Sequence, residues 1–125
     1  MQPSRYAFAL DMHTSQSQIC LVATQGDTNR EFIISLSDGG KPFTVPKEST
    51  TVHLLIDRPT GTTIEEITPV ISNDGSYVTY KFTQDTCFVD GMHDCQLVFY
   101  DEEENELWSP CFSYYVNPKK KQVTT

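Results

Sequence analysis

Basic residues are scarce in this chain: nine Lys and Arg stand against seventeen Asp and Glu, a formal net charge of −8 at pH 7 with His neutral. Phosphate backbones are held by clusters of Lys and Arg, so nucleic acid is not an expected partner. Long apolar runs are missing as well. None approaches the roughly 20 residues that a membrane helix needs, and no membrane is expected. Histidine occurs only three times, which thins the supply of metal ligands and proton-transfer groups. The start, Met1-Gln2-Pro3-Ser4-Arg5, lacks a basic region followed by an apolar stretch and a small-residue cleavage site, so secretion by the usual route is not expected. Four cysteines, Cys20, Cys87, Cys95 and Cys111, allow three pairings, but in a reducing compartment they are expected to be thiols and small core residues.

What is present suits one folded domain. The chain has 125 residues, enough for one hydrophobic core and too few for two. Seven Phe and six Tyr supply bulky core material, although the hydrophobic fraction of 38% is modest. Charge is unevenly spread. Residues 1–62 carry six acids and five bases, whereas residues 63–125 carry eleven acids and four bases, three of the latter being Lys119, Lys120 and Lys121. The body of the second half is therefore acidic, which favours a basic partner or simply keeps the protein dissolved.

Alternation at period two dominates the chain. Tyr6, Phe8, Leu10 and Met12 alternate with smaller or polar residues, as do Phe32, Ile34 and Leu36, and then Val52, Leu54 and Ile56. Gln18 to Thr24 forms a short apolar run, and Gly26-Asp27-Thr28-Asn29 after it suggests a hairpin with the Phe32 strand. A short strand near Thr63 to Ile71 leads to Asn73-Asp74-Gly75, a strong hairpin signal, with Ser76 to Thr83 as its partner. Cys95 to Tyr100 is apolar on both faces and reads as a central strand. Leu107 to Val116 reads as the last strand, with Pro110 marking a bulge or an edge. No window of ten residues shows a helical stripe, though 49–55 or 85–89 has room for a single turn. About eight strands with frequent turns predict an all-β, immunoglobulin-like antiparallel β-sandwich over residues 1–117, followed by a basic flexible tail over residues 118–125.

Chemical constellations are weak. His53 falls on the polar phase of its strand, and His13 has only Asp11 nearby in sequence. Cys87, His93 and Cys95 are zinc-type groups at a spacing that matches no zinc motif. Asp85, Asp90 and Asp94, or Asp101 to Glu106, lack the oxygen spacing and glycine of a calcium loop. Glu65 and Glu106 would serve a paired-carboxylate hydrolase only if the fold brought them together. There is no nucleophile elbow, P-loop or dinucleotide fingerprint. Trp108 lies outside the Cys20–Cys87 interval, so the cysteine–tryptophan pin of antibody domains is lacking. No enzyme activity and no cofactor are expected. Tyr77, Tyr100 and Tyr115 leave a carbohydrate-binding β-sandwich as the alternative reading.

Several phrases occur in a telling order: Gly26-Asp27-Thr28 before Phe32-Ile33-Ile34-Ser35-Leu36; Val52-His53-Leu54-Leu55-Ile56-Asp57-Arg58-Pro59-Thr60-Gly61-Thr62; Asp74-Gly75 with Val78-Thr79-Tyr80; Val89-Asp90-Gly91 ahead of Cys95-Gln96-Leu97-Val98-Phe99-Tyr100; and Leu107-Trp108-Ser109-Pro110-Cys111-Phe112 closing with Tyr115-Val116. In this order the chain resembles the N-terminal immunoglobulin-like domain of the upper baseplate protein of tailed phages that infect Gram-positive bacteria. Arg58 and Thr60 depart from the commoner Lys and Asp of that family's turn. The resemblance implies a non-catalytic structural protein of the virion, made in the host cytoplasm. It would dock through its sandwich onto hub or neighbouring tail proteins, as a homo- or hetero-oligomer. It carries over no motif-defined contacts; Lys119, Lys120 and Lys121 are the residues expected to reach an acidic partner surface.

Overall fold

The computed structural model describes residues 4–13, 19–26, 28 and 30–119, without the side chains of Ser4, Ile19, Cys20 and Asp85. Among them, eleven strands form two sheets packed face to face: β1 (Ser4–Asp11), β2 (Ile19–Thr24), β3 (Arg30–Asp38), β4 (Lys41–Pro42), β5 (Thr51–Asp57), β6 (Thr63–Glu66), β7 (Val70–Ile71), β8 (Tyr77–Lys81), β9 (Gly91–Tyr100), β10 (Glu106–Trp108) and β11 (Cys111–Asn117). The first sheet runs β1-β3-β8-β7, with β4 also on β3. The second runs β2-β11-β9-β5-β6, with β10 on β9. The expected sandwich is present, and most pairs are antiparallel. One parallel pair closes each sheet, β1 with β3 and β2 with β11. Several of the added strands are only two or three residues long.

The period-two alternations point where they should. Phe32, Ile34 and Leu36 face inward from β3, opposite Val52, Leu54 and Ile56 of β5, and all six are buried. Phe32 is the hub of the core. Its ring meets Phe8 and Phe82 edge-on within its own side, and Phe112 and Tyr114 from the second sheet, with centroids 4.9–5.9 Å apart. Such edge-to-face contacts add to the area each ring removes from water. β9 lies between β11 and β5, and Val98, Leu97 and Phe99 are all buried, as a central strand with two apolar faces requires.

Three sequence expectations are corrected. β2 and β3 do not form a hairpin: the chain crosses between sheets at Gly26-Asp27-Thr28-Asn29, of which Asp27 and Asn29, like Gln18, lie outside the described residues. Thr63 to Ile71 is not one strand but two, because Pro69 cannot donate to a ladder, and β6 pairs with β5 while β7 pairs with β8. The last strand is not an edge. β11 is flanked by β2 and β9, and buried Pro110 separates β10 from β11 without a bulge of its own. The pairs Trp108–Phe99 and Cys111–Gln96 keep one register across it, Leu97 N donates to the Pro110 carbonyl at 3.0 Å, and the register shift falls between Glu106 and Trp108.

The Asn73-Asp74-Gly75 turn joins β7 to β8 as expected. A Cβ at Gly75 would overlap the Val45 carbonyl oxygen, and its φ is +76°, so only glycine fits there. Asp74 accepts hydrogen bonds from Ser72 Oγ, Ser76 N and Ser76 Oγ at 2.7–3.0 Å. These donors, Ser76 first, hold its exposed carboxyl down at about 2. The helical turns are brief: a 3-10 turn at Lys47–Ser49 and an α turn at Gln84–Cys87.

Candidate docking surface

The strand registers fix what each sheet shows to solvent. On the first sheet, Ala7, Ile33, Thr79 and Val70 stand side by side across β1, β3, β8 and β7. Ala9, Ser35 and Tyr77 form the adjacent row. None carries a charge. Val70 and Tyr77 are 54% and 40% exposed, large values for apolar groups on a strand, while Ile33 and Thr79 are half-buried by their neighbours. Charge appears only past the ends of these rows. Arg5, Glu31 and Lys81 bound one end, with Arg5 Nε 3.9 Å from Glu31 Oε2, and Asp11 bounds the other beside Ser37 and Pro42.

This face also has an open edge. β1 pairs only with β3 among the described strands, so every second one of its eight residues presents its backbone N–H and C=O groups along the other side. Of the other sheet edges, β7 has two residues and β6 has four, including Glu65 and Glu66, while β2 ends the second sheet as an uncharged edge of six residues. A long edge without inward charge or proline is one that natural proteins either cover or use for docking.

The outer face of the second sheet is acidic. Asp57 and Asp94 pair in register, Thr63 Oγ1 donates to Asp57 Oδ1 and Ser113 Oγ to Asp94 Oδ1, both at 2.7 Å. Cys111 beside them is a half-buried thiol whose pKa is raised, first by burial and then by the charge of Asp94, so it is poorly suited to nucleophilic work. A groove of about 440 Å³ opens between His53, Glu65, Tyr100 and the turn after β9. In it His53 Nδ1 lies 3.2 Å from Glu65 Oε2, and the imidazole meets the Tyr100 ring at 5.2 Å. In the turn, Asp101 Oδ1 accepts Glu103 N and Asn105 N at 2.9 Å each, with the Asn105 bond the chief cause of a lowered carboxyl pKa.

The remaining sequence candidates scatter. Glu65 is engaged by His53, and Glu106 lies in β10 opposite Tyr100. Tyr77 is on the first face and Tyr100 and Tyr115 on the second strand layer, so the three tyrosines make no common platform. His93 is fully buried and stacked on Tyr114 at 4.5 Å; its Nδ1–H donates to the Gly91 carbonyl at 3.0 Å, and Nε2 has no hydrogen-bond partner. Desolvation lowers its pKa, assisted by the charge of Arg58 and opposed by the Gly91 bond and Asp94. Cys87 and Cys95 are buried thiols, and they do not converge with His93 on a metal-sized space. Asp90 is exposed, and the side chain of Asp85 lies outside the described residues. Lys119 is exposed, with its N–H donating to Gln25 Oε1 at 3.2 Å, whereas Lys120 and Lys121 lie outside the described residues. Among the described residues no helix is long and apolar enough to cross a membrane.

The backbone as a whole superimposes on the N-terminal domain of ORF48 of phage TP901-1, with a TM-score of 0.69 over 90% of this chain and 98% of that one, at 13% sequence identity. The chain has the fold of a phage protein domain. The likeness read from the sequence thus holds at the level of the fold. A fibronectin(III)-like module of Clostridium thermocellum CbhA overlaps more loosely, with a TM-score of 0.45 at 14% identity over 89% of this chain and 99% of that one. No protein-family model and no curated protein matches the sequence. What marks this phage-domain fold here is the contrast between its uncharged first face and its acidic second face, which the register alone produces. Neither sequence motif nor composition pointed to the first face, whose residues are small, scattered over four strands and ordinary one by one.

Proposed function

We propose that this protein is a non-catalytic structural component of a phage tail or baseplate, docking through its β-sandwich onto hub or neighbouring tail proteins. The observation that carries this reading is the shared fold with a phage protein domain over 90% of the chain, joined to the ordered sequence resemblance to the upper baseplate family. The uncharged first face and the open β1 edge supply the contact. A partner laid there desolvates no ion, and an added strand would satisfy the β1 backbone groups. The acidic second face stays in water and keeps free copies apart. Tail assembly places the protein in the virion after synthesis in the host cytoplasm.

A specific contact of this kind buries at least about 1,000 Å² in total. Sedimentation velocity of the purified protein, alone and mixed with hub and neighbouring tail proteins of the same phage, tests it. A defined complex at tens of micromolar is expected. A strict monomer in every mixture removes the central property of a docking module.

A further inference from the structure

We propose that Asp11, His13 and Asp38 form a surface site for one divalent ion of the zinc type. Their ligand atoms, two carboxylate oxygens and one imidazole nitrogen, all lie within 4.8 Å of one another. This is the only such set among the described residues. Ligands bound at about 2.0–2.2 Å to a common ion are separated by somewhat less than twice that distance, so the set closes around an ion with small side-chain movements.

The set is assembled by two segments that the fold locks together. Asp11 ends β1 opposite Ser37 in the parallel register, and Met12 N donates to the Ser37 carbonyl at 2.8 Å. Met12 itself is only 2% exposed, a rivet between the two ligands on either side of it. Asp38 ends β3 at a two-residue hairpin, Gly39 and Gly40 with φ of +61° and +82°, which pairs Asp38 with Lys41. The Asp11 carboxylate is aimed by backbone amides: Oδ1 accepts His13 N at 2.9 Å and Oδ2 accepts Gly39 N at 2.8 Å. Each oxygen keeps a second lone pair for a metal.

Charge argues the same way. His13 Nδ1 lies 3.1 Å from Asp38 Oδ1, and among the described residues neither Asp11 nor Asp38 forms an ion pair with Lys or Arg. Two carboxylates are thus held together with only an imidazole between them, and an ion seated there takes the place of the His13–Asp38 contact. The donor set decides the class. Calcium and magnesium favour all-oxygen shells, whereas an imidazole with two carboxylates suits zinc and its borderline neighbours, with water completing the shell.

Zinc chloride and, as a spectroscopic probe, cobalt chloride should be titrated into the full chain, with the His13 ring resonances and the melting temperature as further readouts. Saturable one-to-one binding, a shifted His13 signal and a visible cobalt spectrum without a thiolate band are expected. His13→Ala and Asp38→Asn, both exposed changes that leave the core intact, should each weaken binding at least about tenfold, since loss of even an outer partner of a ligand has effects of that order. Absence of saturation at millimolar zinc overturns the site. So does unchanged affinity in both variants, a cobalt–thiolate band that reports binding at cysteine, or tighter binding of calcium than of zinc.

Discussion

The two outer faces of this sandwich are built from strands of similar length and alternation, yet one is neutral and the other acidic. On the first, the registered rows Ala7–Ile33–Thr79–Val70 and Ala9–Ser35–Tyr77 carry no carboxylate, amine, guanidinium or imidazole. On the second, Asp57, Asp94, Glu65 and the turn at Asp101 set carboxylates across the sheet and its rim. The charge gradient along the chain has become a difference between faces, because most acids of the second half fall on β6, β9 and the turn after β9. Burying a carboxylate against a partner requires either a cation or a large desolvation loss, while burying alanine, threonine and valine requires neither. Face chemistry, more than any single residue, divides the molecule into a side suited to contact and a side suited to water.

The contrast depends on both sheets leaning on one aromatic core, and removing its hub should break it most severely. Phe32→Ala is expected to cost about 3–5 kcal/mol in chemical or thermal unfolding, the range for a buried ring replaced by a cavity. A loss under about 1 kcal/mol would mean that the sheets are held together elsewhere.

A single new charge sharpens the comparison next. Thr79→Glu, in the middle of the neutral face, should weaken partner binding at least about tenfold, or roughly 1.4 kcal/mol. Gln96→Glu, on the acidic face, should leave it unchanged. Sedimentation of both variants with the proposed tail partner checks this, and equal effects would erase the proposed difference in role between the faces.

The two sheets should also fail in different pH windows. His93, inward on β9 of the second sheet, has a folded pKa below its ordinary 6.5. Its stabilising effect is complete above 6.5 and declines as the pH falls below it, because the unfolded chain takes up a proton that the folded one refuses. Asp74, in the hairpin of the first sheet, titrates at about 2 when folded against 3.8 ordinarily. Its contribution is intact above about 3.8 and is lost as the pH falls toward 2. Melting temperature measured against pH should therefore drop in two stages. His93→Phe, which keeps an aromatic ring against Tyr114, should flatten the upper stage alone.

The smallest effect is expected at the charged rim of the neutral face. The Arg5–Glu31 pair is long at 3.9 Å with Arg5 well exposed, so Arg5→Ala should change stability by no more than about 0.5 kcal/mol. A larger change would show that this rim helps to hold β1 on β3.

Much of the architecture was legible in residue order. The alternations at Tyr6–Leu10, Phe32–Leu36 and Val52–Ile56, the Asp74-Gly75 hairpin and the doubly apolar β9 all state a local fact that the strand geometry then expresses. Pro69 is a readable signal for the break between β6 and β7. The absence of a β2–β3 hairpin is not legible locally, because turn residues say that the chain reverses, not which strand receives it. Asp38 joins Asp11 and His13 only through the parallel pairing of β1 with β3, a contact between segments 25 or more residues apart that no local pattern encodes.

By itself, then, the amino-acid order determined which segments are strands, which of their faces are greasy and where the chain must turn, since these follow from side-chain period and backbone freedom within a few residues. Strand partners and registers were decided only in the tertiary structure, by which of many possible pairings buries the rings around Phe32 and satisfies the backbone together. The neutral face, the open β1 edge and the Asp11–His13–Asp38 cluster all arise from those registers, and a shift of one residue would have turned every one of their side chains to the other side of the sheet.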